Sequence, residues 1–66
     1  MEIHVNGEAR EVAAGLSVAE LLGGMGLAGK RLAVERNGEI VPKSGHVMTR
    51  LAEGDRIEIV VAVGGG

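Results

Sequence analysis

The sequence predicts an α+β domain of two layers, one mixed five-stranded sheet packed on a single helix. Three observations carry that expectation. Apolar residues alternate with polar ones near both ends of the chain, at Met1-Ile3-Val5 and at Ile57-Ile59-Val61, the period of a strand with one buried face. Between them Val18, Leu21, Leu22 and Met25 recur at i, i+3, i+4 and i+7, which is one apolar stripe of a helix. Two Asn-Gly pairs, Asn6-Gly7 and Asn37-Gly38, separate strand-like stretches where a tight hairpin needs positive φ at both turn positions.

The elements follow in chain order. The first strand ends at Asn6-Gly7, and a second runs from about Glu8 to Val12. Arg10 and Val12 share a face there, which suggests a bulge. Ser17 and Glu20 fit a capping box, and Leu16 and Leu21 occupy the two positions of a hydrophobic staple. The helix is short, because Gly23, Gly24 and Gly26 weaken its end and offer left-handed caps. A strand over Leu32–Arg36 turns at Asn37-Gly38 into Glu39-Ile40-Val41, stopped by Pro42, which has no amide to donate. Lys43 to Arg50 is irregular with a helical turn, Leu51 returns to the core, and Gly54-Asp55 turns into a last strand over Arg56–Ala62. That strand carries apolar residues on both faces, Val60 and Ala62 opposing Ile57, Ile59 and Val61, so it belongs in the sheet centre, parallel to the first strand. The order β-β-α-β-β-β resembles the β-grasp, or ubiquitin-like, fold.

Composition narrows the chemistry. With 66 residues the chain holds one domain that buries only roughly 60% of its unfolded surface, too thin a core to line a deep cleft. It has no Cys, which excludes disulfides, thiolate metal sites and cysteine nucleophiles. It has no Phe, Trp or Tyr on which bases could stack, and its net charge of −2 lacks the basic stripe of a nucleic-acid binder. No secretory signal is visible at the N-terminus, and the longest apolar run, Ile59 to Val63, is too short to span a bilayer. The expectation is a cytoplasmic protein with no nucleic-acid or membrane partner, monomeric when free.

The chemistry is expected at Gly64-Gly65-Gly66, a flexible tail after a domain of residues 1–63. Glycines have no Cβ and adopt any φ, so such a tail can thread a narrow channel and present its carboxylate to a partner's active site. A carboxylate becomes an acyl donor once it attacks the α-phosphorus of ATP and forms a mixed anhydride with AMP. The chain has no phosphate loop, so ATP and its metal must come from the partner, and no cofactor or metal is expected on this chain. Val60, Ala62 and Val63, at the root of the tail, are the expected docking surface. The other motifs carry less. Gly24-Met25-Gly26-Leu27-Ala28-Gly29 spells G-x-G-x-x-G, but it ends a helix where a dinucleotide site begins one. His4, on the solvated face of a strand, and His46, in a loop, lack partners at ligand spacing. Lys30-Arg31 reads as solvated, with contact to a partner as the alternative.

Several stretches together resemble the sulfur carrier proteins of thiamine biosynthesis, the ThiS family. They are Ile3-His4-Val5-Asn6-Gly7, Leu16-Ser17-Val18-Ala19-Glu20-Leu21-Leu22, Val34 through Asn37-Gly38-Glu39-Ile40-Val41-Pro42-Lys43, and Gly54-Asp55-Arg56-Ile57 through the terminal glycines. The resemblance implies that Gly66 is adenylated by an enzyme similar to those that activate ubiquitin and is then converted to a thiocarboxylate. It implies further that Gly65 and Gly64 lie in the partner's channel, that a cysteine desulfurase or similar donor supplies the sulfur, and that thiazole synthase receives it. It also implies that the chain is not itself an enzyme. Two alternatives stand beside it. One is a carrier for another pathway, similar to the small subunit of molybdopterin synthase, which runs longer and carries aromatic residues. The other is a β-grasp binding module whose glycines are only a chain end.

Overall fold

The computed structural model describes residues 1–62. The chain forms β1 (Glu2–Val5), β2 (Glu8–Glu11), α1 (Val18–Gly24), β3 (Leu32–Arg36), β4 (Glu39–Val41), a 3-10 turn (Lys43–Gly45) and β5 (Arg56–Val61). The strands lie side by side as β2-β1-β5-β3-β4, so the last strand is the central one. It runs parallel to β1, with Val5 opposite Ile57, and antiparallel to β3, with Leu32 opposite Val61. The expected α+β architecture is therefore present, with five strands and one α-helix among the described residues.

Both hairpins turn at their Asn-Gly pairs. Asn6 and Asn37 hold φ of 50°, and Gly7 and Gly38 hold 85° and 86°. Positive φ at both positions matches the right-handed twist of the strands, which is why these two residue types stand there. The bulge expected in β2 is absent: the register runs unbroken from Glu2 opposite Glu11 to Val5 opposite Glu8. Arg10 and Val12 do share the helix-side face, but no extra residue is needed to accommodate them. β2 is an edge strand, so Arg10 reaches solvent at the rim, while Val12 follows the strand and packs against the core.

The helix is fixed at both ends. Ser17 Oγ accepts from the Glu20 amide (3.1 Å), and Glu20 Oε1 accepts from the Ser17 amide (2.9 Å). At the other end the Gly26 amide donates to Gly23 O (3.1 Å) and the Leu27 amide to Leu22 O (2.8 Å), with Gly26 at φ +73°. These are the two bonds of a Schellman cap, and Leu27 packs on the core beside them. The G-x-G-x-x-G stretch is thus a helix stop.

Val18, Leu21 and Leu22 of α1 meet Ile3, Val5, Val34, Ile57 and Ile59 of the sheet, with Val41 and Leu51 closing the rim. Each such side chain contributes roughly 1.5–3 kcal/mol when fully buried. The Leu51 amide donates to Leu16 O (2.8 Å), which ties the irregular segment to the start of the helix. Only one face of β5 is buried. Glu58 and Val60 point to the open side of the sheet, and Val60 is 66% exposed. The strand is central because it is paired on both edges, and its second apolar face is left uncovered. No helix among the described residues is long and apolar enough to cross a membrane.

Candidate functional site

The candidate site lies where β5 delivers the chain toward its terminal glycines. Gly64, Gly65, Gly66 and Val63 lie outside the described residues; Val60 and Ala62, the other two expected docking residues, are within them. What the structure shows is how the strand beneath them is held.

At its leading end β5 starts from a buried carboxylate. Asp55 Oδ2 accepts from Arg36 Nε (2.8 Å) and from the Ala52 amide (2.8 Å), and Oδ1 accepts from Asn37 Nδ2 (3.1 Å). Burial pushes this carboxyl's pKa up, but the bonds from Ala52, Asn37 and Arg36 and the charge of Arg36 outweigh it, and the pKa lies below the ordinary value of 3.8. Asn37 does a second job there: its Oδ1 accepts from the Arg56 amide (2.9 Å). Sequence reading takes Asp55 only as a turn residue. Its position between a turn glycine and the first residue of a strand was the one available signal.

At the trailing end the neighbouring strand runs out before β5 does. β1 turns away at Asn6, and the Asn6 side chain takes over its place in the ladder. Asn6 Oδ1 accepts from the Ile59 amide (2.7 Å), Nδ2 donates to Ile59 O (3.2 Å), and the Asn6 amide donates to Ile57 O (2.8 Å). On the other edge Leu32 pairs with Val61, and the Ala62 amide donates to Arg31 O (2.9 Å). Backbone pairing with the segment before β3 thus includes Ala62, one residue past the strand. Ile40, 64% exposed, lies on the open face in the row of Glu35 and Glu58, while Val60 stands nearer the tail, opposite Ala33. That gives the root of the tail a small apolar surface.

The helix side of the same end is different. A groove of about 460 Å³ runs between α1 and the segment leading into β3, with Lys30, Arg31 and Lys43 on its walls and Leu22, Leu27 and Leu32 in its floor. His46 closes it and is buried, not solvent-facing as a loop position suggests. Its Nε2 lies 3.2 Å from Val41 O, an atom that can only accept, so the ring donates from Nε2. His46 O also accepts from the Ala19 amide (2.9 Å). His4 lies on the opposite, open face of the sheet, so the structure does not bring the two histidines together. Among the described residues no group of three or more His, Asp or Glu is placed to hold a metal ion.

A family model described as the ThiS family matches residues 3–66. Two proteins named thiazole synthase are similar over all 66 residues, one from Paramagnetospirillum magneticum at 46% identity and one from Magnetococcus marinus at 42%. The chain spans only 20% of the length of each. The crystal structure of a thiamine biosynthesis protein (ThiS) from Geobacter metallireducens superposes with a TM-score of 0.85 at 35% identity, covering 100% of both chains. A solution structure of a thiamine biosynthesis protein from the same organism gives 0.82, covering 88% of that chain.

Proposed function

The chain belongs to the ThiS family, and from that premise we propose that it is a sulfur carrier for thiazole formation in thiamine biosynthesis. In this reading Gly66 is the reacting residue. Its carboxylate attacks the α-phosphorus of ATP held by a ubiquitin-activating-like adenylyltransferase, and pyrophosphate leaves. The terminal sulfur of a persulfide on a donor such as a cysteine desulfurase then displaces AMP to give an acyl disulfide, and a second thiol cleaves its S–S bond, releasing the thiocarboxylate and leaving a disulfide on the donor. Thiazole synthase accepts the sulfur. ATP and its metal sit in the activating partner, and this chain contributes no catalytic side chain; the cytoplasm is the natural setting for such an exchange.

The observation that carries the reading is that the family match continues through the terminal glycines, directly after a central strand pinned on both edges. A recipient of the thiazole synthase kind is supported by the relatives, in which the similar segment is part of a longer chain of that name. Domain limits follow the same logic, a body of residues 1–63 and a glycine tail of 64–66 placed in the partner's channel.

The test is exchange of labelled pyrophosphate into ATP by the cognate adenylyltransferase. Exchange should require Gly66, and intact mass from cells lacking the downstream synthase should show chains with one oxygen replaced by sulfur. Undiminished exchange after deletion of Gly66 would overturn the assignment. Gly65→Val should leave the fold unchanged and block exchange, because a β-branched side chain restricts φ and widens the tail.

A further inference from the structure

We propose that the basic groove beside the trailing end of β5 is a docking surface for the adenylating enzyme, and that it takes an acidic surface segment of that enzyme, carboxylates flanking an aliphatic side chain. The inference rests on the carrier reading and adds to it the second contact that orients the chain.

Charge argues first. Lys30, Arg31 and Lys43 line the groove with no acidic residue among its walls, on a chain whose net charge is −2. The ion pairs among the described residues are Met1 with Glu11 and Arg36 with Asp55, so the three groove cations are not engaged there. Nor are they needed to cap the helix. Its last carbonyls already accept from the amides of Met25, Gly26 and Leu27. Three exposed cations without an ion-pair partner among the described residues repel one another, a cost that an anionic ligand removes.

The floor adds an apolar term, because Leu22, Leu27 and Leu32 offer aliphatic surface beneath the charges. Position decides the occupant. Arg31 O accepts from the Ala62 amide and Leu32 pairs with Val61, so the groove wall is continuous with the end of β5. An enzyme that grips the chain beyond Ala62 must lie over this wall. Adenylation needs the carboxylate in line with one phosphorus atom, which a single apolar patch around Val60 cannot orient. A charged contact on the opposite layer fixes the register, as complementary charges do at other interfaces.

Affinity of the adenylyltransferase for the full chain is measured by calorimetry across a salt series, alongside pyrophosphate exchange. Binding of the unaltered chain should weaken as salt rises. The triple variant Lys30→Glu, Arg31→Glu, Lys43→Glu alters only exposed side chains and should keep its melting temperature. It should bind ~10-fold more weakly or worse at low salt and lose most of the salt dependence, and exchange should fall with it because the carboxylate is no longer held in register. Arg10→Glu, on the far edge strand, should change neither. Affinity that is flat with salt, or a triple variant that binds like the unaltered chain, would overturn the proposal. So would a triple variant impaired only toward thiazole synthase. Absence of exchange with the unaltered chain would instead remove the carrier reading, and this inference with it.

Discussion

Each end of β5 is held by an asparagine drawn from an Asn-Gly turn, but the two ends are fixed by different physics. At the leading end Asn37 works beside a buried carboxylate, and a guanidinium, an amide side chain and a backbone amide converge on Asp55. At the trailing end Asn6 acts on the β1 edge without a charged partner, its neutral amide standing in for the strand that has turned away. Burial follows the same gradient: Ile57 is fully enclosed, Ile59 nearly so, Val61 only half. The strand is clamped where it begins and lightly held where it hands the chain on. That asymmetry suits the proposed carrier role, in which the body stays folded while a partner handles its terminus.

Truncating the same face at each end is the strongest way to break the comparison. Ile57→Ala should cost about 3 kcal/mol, within the usual 2–5 for a buried isoleucine. At about 4–8 °C per kcal/mol for a domain this small, the midpoint should fall by more than about 10 °C. Val61→Ala removes less volume from a half-buried site and should cost about 1 kcal/mol or less. Thermal unfolding followed by circular dichroism measures both. Equal losses would mean the gradient in burial carries no energetic gradient.

The carboxylate is the next lever. Asp55→Asn keeps the shape but removes charge from bonds that are worth about 1.5–3 kcal/mol when one partner is ionised, and a loss near 2 kcal/mol is expected. The pH dependence has a definite sign. The folded-state pKa is depressed, so the unfolded chain binds the proton more readily. The stabilisation is complete above the ordinary value of 3.8, declines below it, and is gone once the pH passes under the folded-state value. Urea unfolding between pH 3 and pH 6, read as order-of-magnitude trends, should show the variant losing less stability on acidification than the unaltered chain. Parallel curves would dismiss Asp55 as the source.

The fold was legible in the sequence wherever a backbone requirement selects a residue type. Positive φ selected Asn6-Gly7 and Asn37-Gly38, the orphan amides of α1 selected Ser17 and Glu20, and period-two alternation marked Ile57 and Ile59. What side chains do across the sheet was not legible. Asn6 and Asn37 explain themselves fully as turn residues, so nothing in their spacing reveals that their amides also hold β5. The second apolar face of β5 led to the right place in the sheet through burial that does not occur, since Val60 is exposed. The bulge failed because shared apolar and basic positions in β2 need no correction at a solvent-facing edge. Of the candidate site, residue types marked the glycines and Val60, while the groove of Lys30, Arg31 and Lys43 needed the third dimension to bring position 43 to the other two.

Asn6 allows a sharper cut at the trailing end. Asn6→Gly keeps the positive φ and removes only the amide, so its cost isolates the bonds to Ile59. About 1 kcal/mol is expected, the net worth of a neutral hydrogen bond or two in a partly buried place. Hydrogen exchange should report the loss locally, with the Ile59 amide exchanging faster and the Arg56 amide, held by Asn37, unchanged. Acceleration at both amides would show that the ends of the strand are one unit.

The smallest effect on stability is expected at Val60, and there the comparison meets function. Val60 is exposed, so Val60→Asp gives up little burial, and its cost is bounded by strand preference at about 1 kcal/mol. Glu58 shares its face and adds only a weak repulsion, because water and salt screen charges at that exposed surface. Gly64, Gly65 and Gly66 bring no side chain to bury against a partner, so recognition has to draw on the body. Val60 and Ala33 form a cross-strand apolar pair on the open face near that end. Val60→Asp should therefore keep its melting temperature within a few degrees, bind the adenylyltransferase ~10-fold more weakly, and still support exchange at saturating enzyme. A peptide of the last several residues should bind more weakly still. If that peptide binds as tightly as the whole chain, the glycines carry recognition by themselves, and the lightly held end of β5 is only the place where the chain leaves the sheet.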